Sequence, residues 1–407
     1  MIDDSQLISA LAAANLPGAV CQITDREGTR YSRAFGHADA LAGTPMREDT
    51  ICQIASMTKA IVSVGAMQLV EQGWLTLDDP IGEVLPQLAD PQVMTGFAED
   101  GAVRTRAAVR PLTLRHLLTH TAGFGYAFVQ PEVLRYFQTV GMPSAGTVGA
   151  LQMPLLFDPG ESWDYGVSTD WVGLAIEAAT GARLGDYLAE NVLTPLGMTA
   201  TAFRPVLPEG AAKVHVRNPD GSLKVIAANL GGGEFQSGGA GLSSTAPDYA
   251  RFMRMILRGG ELDGARILEP GTIAEMSRNQ VGPHRAGYMG TTMPNMANPF
   301  DNFPDQHTGW GLGFLINPET GPAGRSPGSL AWAGIFNSYY WIDPAAGIAG
   351  VFISQLSPFG DPGALGAFAA LERMLTAEAQ QKAPPDRSGG ALLSSQVVAY
   401  SPSSLIR

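Results

Sequence analysis

Lysine is the scarcest common residue of this chain: of 26 Lys and Arg, only four are lysines, at positions 59, 213, 224 and 382. Positive charge is otherwise carried by arginine. Cysteine is scarcer still, with Cys21 and Cys52 alone, which excludes a disulfide framework. Charged residues make up 16% of the sequence and leave a net charge of −12, spread along the chain. That balance argues against nucleic acid or an anionic membrane as a partner. No apolar run reaches about 18 residues, so no membrane-spanning helix is expected. The first residues, MIDDSQLISALAAANLPG, start acidic and lack the basic segment and apolar core of an export signal, which points to a cytoplasmic protein. The six histidines form no His-Glu-x-x-His or Cys/His cluster, so neither a metal nor another cofactor is expected.

What the chain has is apolar substance: 407 residues, 45% hydrophobic, enough for one large or two modest domains. Residues 5–14 read as a helix. Residues 18–24 and 29–36 read as strands joined by the turn Asp25-Arg26-Glu27-Gly28. A matching pattern closes the chain: β-rich runs at 330–342 and 348–355 around the turn 343–347, then a helix at 362–380. Between them, 56–72, 112–119, 169–180, 184–193 and 246–258 have helical periodicity, several ending at glycine. The expected fold is α+β: an antiparallel sheet built from both chain ends and flanked by helices, with a mostly helical insertion. The expected division is 1–80 plus 235–382, an inserted 81–234, and a flexible tail 383–407. Residues 282–309, rich in Pro, Asn, Met and Gly, read as a long loop, of a length that is usually functional or disordered. No internal repeat is present.

One of the four lysines stands in Ile54-Ala55-Ser56-Met57-Thr58-Lys59-Ala60, three residues after a serine at a predicted helix start. A spacing of three places Ser56 and Lys59 on one helix face. Ser56 also lies at the positive end of the helix dipole, which favours a nearby oxyanion. A serine hydroxyl needs a base to become a nucleophile. A buried lysine can serve; an arginine, always protonated, cannot. The alternative is a helix-capping serine beside a surface lysine.

Ser56-Met57-Thr58-Lys59, together with LRHLLTHTAGFG at 114–125 and GLSSTAPDYARFMRMILRGGELDGARIL at 241–268, resembles the serine β-lactamase-like superfamily from about residue 15 to 380. That superfamily includes class C β-lactamases, D-alanyl-D-alanine peptidases, family VIII carboxylesterases and LovD-like acyltransferases. The resemblance implies a β-lactamase/transpeptidase-like fold and a second base, a tyrosine, for which Tyr165 in 157–173 is the match. Val167 stands where β-lactamases carry Asn; valine cannot hold a lactam side-chain carbonyl, and this favours the esterase branch. Ser168 reads as the cap of the helix beginning at 169. Neither Ser-Asp-Asn nor Lys-Thr-Gly occurs. Two segments compete for the third motif. His307-Thr308-Gly309 has the familiar letters, but Trp332-Ala333-Gly334 opens the β-run where the motif strand belongs. With the second choice, the amides of Ser56 and Ile335 form the oxyanion hole, Gly334 lets the backbone approach substrate, and Trp332 offers an apolar wall suited to neutral esters. His116 and His120 read as structural. A Ser-His-Asp hydrolase is disfavoured because no Gly-x-Ser-x-Gly elbow is read in the sequence. Phe124, Tyr126, Phe128, Phe157, Trp310 and Phe336 are candidate pocket residues.

The resulting expectation is a serine carboxylesterase that hydrolyses short-chain esters through an acyl-enzyme on Ser56, with Lys59 and Tyr165 sharing the proton. A cephalosporin-type β-lactamase or an acyltransferase of the same fold is the alternative, and a non-catalytic binding protein is a further one. The small-molecule ester is the expected partner, β-lactams remain open, and the oligomeric state is left open by the sequence.

Overall fold

The first strand, Gly18–Asp25, is buried along nearly its whole length, and so is Ser338–Asp343. Continuous burial means that both sheet faces are covered, which is why these runs are apolar without alternation. In the computed structural model, which describes residues 2–144 and 146–382, they belong to one eight-stranded sheet. Its order is Gly309–Trp310, Leu315–Ile316, Leu330–Gly334, Ser338–Asp343, Ile348–Ser354, Gly18–Asp25, Thr29–Asp39 and Thr44–Pro45. Every neighbouring pair is antiparallel. The two chain ends meet at its centre, where Ala19 faces Ser354 and Asp25 faces Ile348.

Side chains alternate between faces along a strand. Tyr339 and Trp341 therefore point one way, onto Phe368 of the helix Pro362–Lys382. Tyr340 points the other way, onto Tyr249 of the helix Ala246–Leu257. The helix Ser5–Ala14 packs on the C-terminal helix. This is the α+β arrangement read from the sequence. One expected strand divides: 330–342 breaks at 335–337, where Asn337 takes a φ of 58°. Asparagine tolerates that left-handed conformation, and its side-chain amide is held there by the carbonyls of Leu356 and Pro358 at 2.9 and 2.7 Å.

Residues 81–234 are more mixed than expected. They contain the helices Leu114–Leu118, Pro131–Val140, Ser168–Thr180 and Leu184–Leu188, but also the hairpins Gln92–Phe97/Val103–Ala107 and Val214–Arg217/Leu223–Ile226. Short pairings tie this part to the rest: Ala202–Phe203 to Leu242–Ser244, and Val214–Arg217 in parallel to Leu356–Ser357. The helix Thr58–Glu71 runs through the core, with every residue from Thr58 to Leu69 buried. The segment 282–309 packs back on the molecule; Met289 and Phe300 form a bridge, and the Thr292 amide donates to the Phe128 carbonyl at 3.0 Å. Among the described residues no helix is long and apolar enough to cross a membrane. The tail expected at 383–407 lies outside them.

Candidate active site

The turn Ala55–Met57 feeds directly into the helix Thr58–Glu71, so Ser56 stands at a helix N-terminus and Lys59 one turn inside it. Ala55 has a φ of 46°, a left-handed conformation that costs a β-carbon-bearing residue energy and so has to be held by its surroundings. Gly334 is part of that support. A β-carbon there would stand 2.4 Å from the Ile54 carbonyl oxygen. The missing side chain of Gly334 therefore admits the 54–55 backbone, rather than leaving room for substrate. Ile335 follows immediately and is half-buried against the core.

Lys59 is 1% exposed. Its Nζ lies 3.2 Å from Ser56 Oγ, 3.2 Å from the Tyr126 hydroxyl and 2.8 Å from the Gly239 carbonyl. An ammonium has three hydrogens and no acceptor capacity, and three oxygens surround it here. Tyr165 contributes its ring face, with its centroid 4.8 Å from Nζ, a cation–π contact. The Tyr165 hydroxyl accepts a hydrogen bond from Trp332 Nε1 at 3.0 Å. Burial, and after it the charge of Asp170 and the neighbouring Tyr165, push the Tyr126 hydroxyl well above the ordinary tyrosine range. Tyr126 was expected only as a pocket wall; its direct bond to Lys59 is new.

His120 is buried against Tyr165, Trp310 and Trp163 at 4.9, 5.2 and 6.2 Å between ring centres. Burial, and secondarily the charge of Lys59, hold it well below the usual histidine range, so the ring is neutral. His116 closes a capping box with Thr113. The two third-motif candidates separate in space. Trp332-Ala333-Gly334 lies on the strand that contacts the Ser56 turn, whereas His307 is exposed, with its Nε2 2.9 Å from the Pro283 carbonyl. The letters Gly-x-Ser-x-Gly do occur, at Gly324-Arg325-Ser326-Pro327-Gly328. They form a turn in which the Ser326 amide donates to Asp343 at 2.8 Å, not a strand-to-helix elbow. Ser168 does not cap its helix. It is the first helical residue, its hydroxyl has no partner, and Val167 occupies the cap position without a side-chain bond.

A mostly apolar cavity of about 400 Å³ has Tyr126, the tyrosine bonded to Lys59, on its wall, while Ser56, Lys59 and Tyr165 are not among its lining residues. Tyr126, Phe128, Val167 and Asp170 are on its wall, with Met293 and Met296 from the long loop, and no Lys, Arg or His lines it. Phe124 instead stacks on Trp171, 6.2 Å between ring centres, and Phe336 is buried in the turn after Gly334. Neither is among the lining residues, nor are Phe157, Trp310 or Trp332. Asp170 and the 237–239 turn were not singled out in the sequence. The available signal was an acid in the first turn of a helix and a Gly-Gly pair. Among the described residues no group of His, Cys, Asp or Glu could hold a metal.

A serine at a helix N-terminus, a buried lysine on its oxygen and a tyrosine over that lysine form the constellation of a β-lactamase-fold serine enzyme. Residues 5–374 match the Beta-lactamase family model, and the chain belongs to that family of serine hydrolases and acyltransferases. It is 33% identical over 395 residues to the monacolin J acid methylbutanoyltransferase of Aspergillus terreus, covering 91% of this chain and 94% of the relative. It is 30% identical over 366 residues to the lovastatin esterase of Penicillium rubens, covering 86% and 91%. The unliganded, selenomethionyl simvastatin synthase (LovD) of Aspergillus terreus superimposes with a TM-score of 0.79 at 30% identity, covering 93% of this chain and 98% of that one.

Proposed function

We propose that the protein is a serine carboxylesterase acting on neutral, small carboxylic esters through an acyl-enzyme on Ser56. The carrying observation is the 3.2 Å approach of buried Lys59 Nζ to Ser56 Oγ. Ser56 Oγ attacks the ester carbonyl, and its proton passes to Tyr165, which acts as a phenolate beside the Lys59 ammonium. The Ser56 and Ile335 amides receive the carbonyl oxygen as it becomes negative. The Trp332 N–H orients the Tyr165 hydroxyl, which protonates the departing alcohol. Water then repeats the sequence on the acyl-enzyme and frees the acid.

The cavity supports a neutral substrate: it offers apolar wall and no cation to hold a carboxylate. This, with Val167 and Trp332, speaks against efficient β-lactam turnover. Transfer of the acyl group to an alcohol is the second reading. A 400 Å³ apolar space walled by Tyr126 and Asp170 can seat a bulky alcohol, and the aligned relatives include a named acyltransferase and a named esterase. A cytoplasmic setting is supported by Cys21 and Cys52, both unpaired and buried. The test is hydrolysis of p-nitrophenyl acetate and butyrate, with nitrocefin and a D-alanyl peptide in parallel and with or without an added alcohol. Ester turnover that vanishes in Ser56→Ala is expected. Ester turnover untouched by that substitution, or nitrocefin as the best substrate, sinks the proposal.

A further inference from the structure

Asp170 is the buried acid that this mechanism leaves idle. It lies in the first turn of the helix Ser168–Thr180, 5% exposed, on the wall of the cavity. A carboxylate in such a place is costly unless it is hydrogen-bonded and opposed by a positive charge. Both conditions are met. Asp170 Oδ1 accepts from Ser237 Oγ at 2.6 Å and from the Gly239 amide at 3.0 Å. The carbonyl of the same Gly239 accepts from Lys59 at 2.8 Å. The packing leaves no slack: a β-carbon at Gly239 would stand 2.6 Å from Asp170 Oδ2, and one at Gly238 would stand 2.5 Å from the Thr169 carbonyl oxygen. The Gly-Gly pair thus lets the turn lie flat on the start of the helix.

We propose that Asp170 is a positioning residue for Lys59: through Ser237 and Gly239 it sets the turn whose carbonyl holds Nζ, and its charge opposes that of the lysine. The inference rests on the proposed role of Ser56 and Lys59. The groups around the pair are Tyr126 and His120 from the 119–128 segment, Tyr165 from the loop before the helix, and Ser237 and Gly239 from the turn. His120 is neutral and Tyr126 protonated, so Asp170 is the acidic side chain of this enclosure that can face Lys59. Burial raises the Asp170 carboxyl from its ordinary value, and Lys59, then Ser237 and the Gly239 amide, oppose that rise.

The test compares wild type, Asp170→Asn and Ser237→Ala. Asp170→Asn keeps an oxygen for both donors, removes the acid and puts an amide NH2 where Oδ2 stood. Two readouts serve: the rate at which a fluorophosphonate labels Ser56 across pH, and kcat and KM for p-nitrophenyl butyrate, with thermal unfolding as the folding control. The expected result for Asp170→Asn is a loss of about 10-fold or more in kcat and labelling rate, with KM within about two-fold. Its acid limb should also move to lower pH than in the wild-type profile, because a nearby acid that favours protonation of the cluster has been removed. Ser237→Ala should lose a smaller part of kcat, again without a change in KM, and it decides the matter if Asp170→Asn does not fold. A wild-type enzyme that labels at Ser56 while both variants match it in rate and pH profile overturns this inference alone. A wild type that never labels overturns the parent reading as well.

Discussion

Replacing Gly334 by alanine tests how the nucleophile is held. The added β-carbon would sit 2.4 Å from the Ile54 carbonyl oxygen, where ordinary contact begins near 3.4 Å, so the two must part by about 1 Å. The strand cannot supply that movement cheaply. Gly334 is paired with Ser338, Ala333 with Tyr339, and the other edge of the strand with Leu315 and Ile316. The 54–57 turn must yield instead, and it is already strained at Ala55. Overpacking of this kind costs about 1–3 kcal/mol. The larger effect falls on activity, because Ser56 is two residues from the displaced carbonyl. A misplacement of about 1 Å at a reacting group can cost about 100-fold, or roughly 2.7 kcal/mol in the barrier. The assay is kcat/KM for p-nitrophenyl butyrate beside a thermal melt. The expected outcome is a melting point lower by several degrees and activity down by about two orders of magnitude. A variant with wild-type melting and rate would refute the claim that the close Gly334–Ile54 contact positions the serine.

Tyr126→Phe removes the hydroxyl bonded to Lys59 and keeps the ring that stacks on Phe128 at 5.1 Å. One lost hydrogen bond to a charged group is worth about 1.5–3 kcal/mol, so a fall in kcat of about 10-fold or more is expected in steady-state ester hydrolysis. An unchanged kcat would make Tyr126 a wall only. His120 gives a pH dependence whose sign is determined. Its folded-state pKa lies well below the ordinary value near 6.5, so the unfolded chain binds the extra proton and stability falls as pH drops below about 6.5. His116, lowered to about 4 chiefly by burial, works in the same direction. Melts between pH 7 and 5 should show the decline, and His120→Asn, which suits the residue's φ of 57°, should flatten it. A decline of equal slope in that variant would assign the effect elsewhere.

The sequence alone carried the local features. Turn residues at 25–28 and 343–347 delimited the strands, and glycine marked helix ends. The three-residue spacing of Ser56 and Lys59 followed from helix geometry, and the terminal strands announced a sheet built from both chain ends. These are short-range consequences of propensity and periodicity, and they survive translation into coordinates. The letters misled where meaning depends on surroundings. Ser168 does not cap its helix, and the phenolic hydroxyl on Lys59 belongs to Tyr126 while Tyr165 offers its ring. Tertiary structure alone decided which distant groups share the lysine's enclosure. Gly239 is 180 residues away in sequence and Tyr126 is 67. Such meetings arise from the packing of the buried helix 58–71 against segments that periodicity describes only one at a time. Burial is a property of the whole fold, and it is burial that brings Lys59 and Asp170 into one enclosure.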